Sequence, residues 1–216
     1  MTRNKIYAIV EGHGEANPPR GGGQPAVTVL ISKLLQELEC WHIFADQTPY
    51  RMRSCGDFFN EKQTLENVIR IHKMYPDCCA ILILVDMDEN CPREMAQGLV
   101  RRIESMESLP FSVVIVCANS EYEAWFLASL ESIHDQQTYP DDPEAIRGAK
   151  GWLKKHFEYE PTNDQSAYTR RLDVQLAKSR SRSFQRLYHA FEEIVAADAQ
   201  GTAVITPNRF QDEGKL

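Results

Sequence analysis

The segment Cys79-Ala80-Ile81-Leu82-Ile83-Leu84-Val85-Asp86-Met87-Asp88-Glu89 leaves this chain few ways to fold. Its first half is an unbroken apolar run rich in Ile, Leu and Val, bounded by Pro76-Asp77 and too short for a bilayer. Such a run predicts a strand buried on both faces of a parallel sheet. Its second half is acidic. The carboxyl end of a central strand in a parallel α/β sheet opens on the ligand crevice, so Asp86 and Asp88 leave the sheet where chemistry usually occurs. Strand alternation turns residues two apart to the same side, and both carboxylates can then face one cation. A solvated acidic turn is the competing explanation for Asp-x-Asp taken alone.

Two further apolar runs end in acid. Lys5-Ile6-Tyr7-Ala8-Ile9-Val10 leads into Glu11-Gly12-His13-Gly14-Glu15, where the glycines permit a tight turn and close backbone approach. Phe111 to Ala118 delivers Asn119-Ser120-Glu121-Tyr122-Glu123 ahead of a helix, whose dipole also favours the two glutamates. Between these strands the apolar spacing predicts helices over 25–39, 61–75 and 91–107 and a short strand over 41–44. The loop 16–24, with Pro18-Pro19 and Gly21-Gly22-Gly23, matches no phosphate-binding glycine pattern. Arg51 and Arg53 alternate onto one side and form either a phosphate clamp or an ordinary surface pair.

From Tyr139 onward the pattern is helical only: 144–157, 165–178 and 183–197, with Ser183 as N-cap of the last. Ser179-Arg180-Ser181-Arg182 is a basic turn, and Ala203-Val204-Ile205 a short edge strand. The expected fold is therefore α/β: a Rossmann-like parallel sheet flanked by helices over 1–138, a basic helical extension packed on it over 139–199, and a tail over 200–216.

A net charge of −7 argues against indiscriminate coating of nucleic acid. Charge is unevenly placed, however: from Arg147 to Arg186 ten Lys/Arg face four Asp/Glu, an excess of +6 that leaves −13 on the remainder. An acidic, cation-holding half beside a phosphate-tolerant half is one reading, and solvated helical faces are the other. The six cysteines show no C-x-x-C spacing, which suits reduced thiols in a cytoplasmic protein and disfavours zinc. No apolar run reaches the roughly 20 residues of a membrane span, and the N-terminus lacks a signal-peptide pattern.

If the sheet is parallel, Glu11, Glu15, Asp86, Asp88, Glu121 and Glu123 converge on one edge. So many carboxylates would raise one another's pKa values and oppose folding unless a divalent cation sat among them. The donors are all oxygen, favouring Mg²⁺ or Mn²⁺. Such a metal neutralises phosphate and generates hydroxide from water, while an acid outside its coordination shell can move protons.

The order of these motifs resembles the Toprim domain of topoisomerases, primases and overcoming-lysogenization-defect nucleases. More closely, Ile9 to Glu15, Leu84 to Asp88 with Cys91-Pro92, Glu121 to Leu127, Ala149-Lys150-Gly151-Trp152-Leu153, Asp164-Gln165 and Ser183-Phe184 resemble a Toprim-like bacterial family of unassigned function. The resemblance implies Asp86 and Asp88 as Mg²⁺ ligands, Glu11 as general acid/base or further ligand, and Glu15 with Glu121 or Glu123 completing the site. The catalytic set would be Glu11, Asp86 and Asp88, with Arg51, Arg53 and Lys150 as substrate contacts. It further implies Mg²⁺-dependent phosphodiester chemistry on nucleic acid, DNA ahead of RNA, by a nuclease in a phage-defence or mobile-element setting, with an ATPase as partner. Two rivals stand beside it: a non-catalytic Toprim module binding nucleic acid or that ATPase, and a phosphatase of the haloacid-dehalogenase type using Asp86 as nucleophile. In the second, the Asp-x-Asp motif would normally follow the first strand and carry Thr or Val where this chain has Asn90.

Overall fold

A computed structural model describes residues 2–52, 61–87, 92–106, 109–135 and 140–206. Its centre is a six-stranded sheet in which every pairing is parallel. The strands are β1 (Lys5–Val10), β2 (Phe44–Ala45), β3 (Tyr50–Arg51), β4 (Cys78–Met87), β5 (Ser112–Asn119) and β6 (Ile205–Thr206). They lie in the order β2-β1-β4-β5-β6, with β3 continuing β2's edge along β1. The register pairs Ala8 with Leu82 and Leu82 with Val114. This is a Rossmann-like α/β sheet. Its order reverses between β1 and β4, so the chain leaves those neighbouring strands in opposite directions and opens a crevice at their carboxyl ends.

The period-two alternation divides the core. Ile6, Ala8, Val10, Ala80, Leu82, Leu84, Val114, Val116 and Ala118 point to one face, in a single apolar cluster with α1 (His13–Ala16), α2 (Ala26–Glu37) and the C-terminal helices. Tyr7, Ile9, Ile81, Ile83, Val85, Val113, Ile115 and Cys117 point to the other. There α3 (Glu61–Met74) contributes Val68 and Ile71, and α4 (Pro92–Glu104) contributes Leu99, Val100 and Ile103. Burying each such Leu, Ile or Val is worth roughly 1.5–3 kcal/mol, which is why the unbroken apolar runs settle in the middle strands.

After β5 come α5 (Ala124–Ala128), α6 (Leu130–Ile133), a 3-10 turn at Pro143–Ala145, α7 (Ala149–Phe157), α8 (Pro161–Arg171), α9 (Val174–Arg180) and α10 (Arg182–Ala199). The single helix expected over 165–178 is two. Pro161 opens α8 at a position needing no N–H, and Asp173 caps a fresh start by accepting from the Leu176 N–H at 2.9 Å. The helix expected over 144–157 breaks at Gly148, which takes φ +73°. The cap of α10 is Ser181, whose Oγ accepts from the Phe184 N–H at 3.0 Å. Ser183, expected in that role, instead accepts the Trp125 indole N–H at 2.8 Å. Among the described residues no helix is long and apolar enough to cross a membrane.

Candidate functional site

The turn after β1 shows what its glycines are for. Gly12 has an ordinary φ of −78°, so left-handed backbone is not the reason. A Cβ there would stand 1.7 Å from Glu15 Oε2: the bare backbone lets the Glu15 carboxylate fold back over it. At Gly14 a Cβ would meet Gln165 Oε1 at 1.7 Å and the Pro161 carbonyl at 2.8 Å, so this glycine admits α8 against α1. Gln165 Nε2 then donates to Glu15 Oε1 at 2.6 Å. Glu15 is 5% exposed despite its charge.

Asp86, the last residue but one of β4, lies on the face that α5 and the C-terminal helices cover, and the Tyr122 backbone N–H donates to its Oδ1 at 3.0 Å. Ser120 brings that N–H round by adopting φ 68°, a left-handed conformation that is uncommon for a residue with a side chain. Beyond the turn the two glutamates part. Glu121 Oε2 accepts the Lys150 backbone N–H at 2.8 Å, at the start of α7. Glu123 is fully buried and accepts the Tyr159 hydroxyl on Oε1 at 3.0 Å, with Lys150 Nζ 3.8 Å from its Oε2.

Burial, and then the repulsion of Glu15 and Glu123, holds Asp86 well above the usual carboxylate range; Lys150 pulls the other way and Glu11 adds to the rise. Glu123 is pushed up to about 7 by burial, with Glu15 and Glu121 outweighing part of the relief from Lys150. Desolvation draws Lys150 down, but Glu123, Asp86, Glu121 and Glu15 together leave it raised and firmly cationic. Burial and Glu123 likewise hold Tyr159 well above the phenol range, so it remains a donor. Glu11, Glu15, Asp86, Glu121 and Glu123 are therefore electrostatic neighbours, gathered at the β1/β4 crevice from three strand ends.

What remains unsatisfied is informative. Glu15 Oε2, Glu123 Oε2 and Gln165 Oε1 are buried with no hydrogen-bond partner, and all three are acceptors. Left so, each costs roughly 1–3 kcal/mol or more. A group of buried oxygens short of donors fits a hard divalent cation or the water on it, and with no thiol or imidazole among them it fits zinc poorly. Among the described residues no three acidic, histidine or cysteine side chains already stand close enough to enclose a metal. The donor chemistry fits Mg²⁺ or Mn²⁺.

Asp88 and Arg53 lie outside the described residues. Arg51 is exposed at the end of β3, where its Nε donates to the Glu11 carbonyl at 3.2 Å, beside the acids. Lys150 sits inside the acidic group, paired with Glu123. Tyr159 and Gln165 are further members that the reading of the chain gave no role. The only hint in the sequence was that Gln165 falls within a motif of the resembling family, while Tyr159 carried none.

A family model described as "Domain of unknown function (DUF4276)" matches residues 21–192. That span holds Asp86, Glu121, Glu123, Lys150, Tyr159 and Gln165 and begins after the Glu11 to Glu15 turn. No curated protein and no solved structure matches the chain.

Proposed function

Because the chain belongs to the DUF4276 family, whose description names no reaction, we propose its activity from the site itself: Mg²⁺-dependent phosphodiester chemistry on nucleic acid, as a Toprim-type nuclease. The observation that carries this reading is the gathering of carboxylates at the switch point, of which Glu15 and Glu123 are buried with their Oε2 atoms lacking any hydrogen bond. The motif order Glu11-x-x-x-Glu15, Asp86-x-Asp88, Glu121-x-Glu123 supports the Toprim relationship. Action beside an ATPase, in phage defence or a mobile element, follows from that relationship alone.

Asp86, Glu15 and Glu123, with Asp88, would hold the metal, which when bound supplies charge neutralisation for phosphate and a nucleophilic water. Of Glu121 and Glu123 the latter is favoured as the ligand, because its Oε2 is buried without a hydrogen bond whereas Glu121 is only half-buried. Glu11, which lies one residue past β1 and whose carbonyl accepts from Arg51, would move a proton. Arg51, which donates to the Glu11 carbonyl, and Lys150, beside Glu123, would contact the phosphate.

The test is incubation of the full chain with supercoiled DNA, single-stranded DNA and RNA in Mg²⁺ or Mn²⁺. Cleavage is expected with metal, lost in EDTA, and lost in Asp86→Ala with the melting temperature retained. Activity that survives Asp86→Ala, or a wild-type chain that neither cleaves nor binds Mn²⁺, overturns the proposal. A phospho-aspartate trapped at Asp86 would instead favour the phosphatase rival.

A further inference from the structure

We propose that Tyr159 and Gln165 are positioning residues for this centre: each ties down one oxygen of a ligand carboxylate so that the other is presented to the cation. The inference rests on the metal reading above. Tyr159 donates to Glu123 Oε1 at 3.0 Å and Gln165 to Glu15 Oε1 at 2.6 Å. The oxygens left over, Glu123 Oε2 and Glu15 Oε2, are both buried and without a hydrogen bond. The same arrangement thus occurs twice in one site, on acids from two different strand ends.

Both tethers are themselves rigid. Tyr159 is fully buried, its ring 4.9 Å from Tyr168 and 6.0 Å from Phe126 between centroids. Gln165 is 1% exposed and occupies the space that Gly14 leaves open. A hydrogen-bond donor on one carboxylate oxygen restricts the rotation that would otherwise smear the second oxygen over several places. Outer groups of this kind typically set metal affinity by about 10–100-fold. Both donors come from the C-terminal helical region, Tyr159 just ahead of α8 and Gln165 within it, whereas both acids lie in the segments that follow sheet strands: Glu15 in α1 after β1, and Glu123 at the start of α5 after β5. The helical region is therefore part of the centre.

The experiment is Mn²⁺ binding to the full chain, read by the electron paramagnetic resonance signal of free Mn²⁺, which needs no substrate and no turnover. Tyr159→Phe keeps the ring and removes only the donor; Gln165→Met keeps approximate volume. Each is expected to weaken Mn²⁺ affinity by about tenfold or more at temperatures where circular dichroism shows a folded chain. Tyr168→Phe is the control, because its hydroxyl bonds to His134 at 2.8 Å, and is expected to bind as wild type does. Wild-type affinity in either test variant overturns the assignment for that residue. An equal loss in Tyr168→Phe reduces the effect to general loosening and overturns both. A wild-type chain that binds no Mn²⁺ fails the metal reading, a result distinct from unchanged variants. Should Gln165→Met not fold, Tyr159→Phe still decides.

Discussion

Glu123 is a residue the metal-free fold would be more stable without. Burial, then the neighbouring acids, lift its pKa from the ordinary 4.5 to about 7. The folded chain consequently holds this proton more tightly than the unfolded one. Stability is gained as pH falls from about 7 toward 4.5, lost as pH rises through that window, and level above it. The cost at alkaline pH is about 3 kcal/mol at most. Glu123→Gln can still accept from Tyr159 and removes a charge that repels Asp86 and Glu15, at the loss of the Lys150 ion pair. In EDTA at pH 8 this variant should melt roughly 5–10 °C above wild type, the gap closing toward pH 5. Thermal melts across that range check it, and no gain at pH 8 would mean that Lys150 already neutralises the site. The same substitution should abolish Mn²⁺ binding, trading function for stability.

The β1 to α1 turn separates two uses of glycine. In Gly12→Ala the new methyl meets the far end of the Glu15 side chain, which can move only by giving up its hydrogen bond from Gln165, so stability should fall by about 0.5–1.5 kcal/mol and Mn²⁺ affinity with it. In Gly14→Ala it meets the Pro161 carbonyl at 2.8 Å, so α8 itself must shift, at about 1–3 kcal/mol of stability. Paired melting and Mn²⁺ titration of the two variants tests the distinction. The turn after β5 makes a related prediction: Ser120→Val, a branched side chain at φ 68°, should cost about 1–2 kcal/mol and be detected by denaturant unfolding. Elements of this sort were legible where the code is local. Ile81 to Val85 and Val113 to Cys117 announce buried strands, and their acidic ends announce a crevice. What the chain did not disclose depended on distant partners. Ser183 has the residue type of a cap, but its hydroxyl serves Trp125, and Gln165, 150 residues from Glu15, sits in a family motif that does not disclose its partner.

At the level of the whole molecule, the sheet has one face covered by α3 and α4 and the other by helices drawn largely from residues beyond 140. Leu153, Tyr159, Phe184, Leu187, Phe191 and Ile194 belong to the same apolar cluster as Leu82 and Val116. A fragment ending at 138 would keep α2 and α5 on that face but expose the apolar side chains that the later helices cover. It is expected to lack cooperative melting and to bind a hydrophobic dye, whereas an independently folded fragment would show that residues 139–199 merely dock. The separation of Glu15 from Gln165 carries its own consequence for biosynthesis. A polypeptide still emerging from the ribosome holds Glu15 with no anchor for its carboxylate until Gln165 has been made, so this tether can form only after 150 further residues are translated.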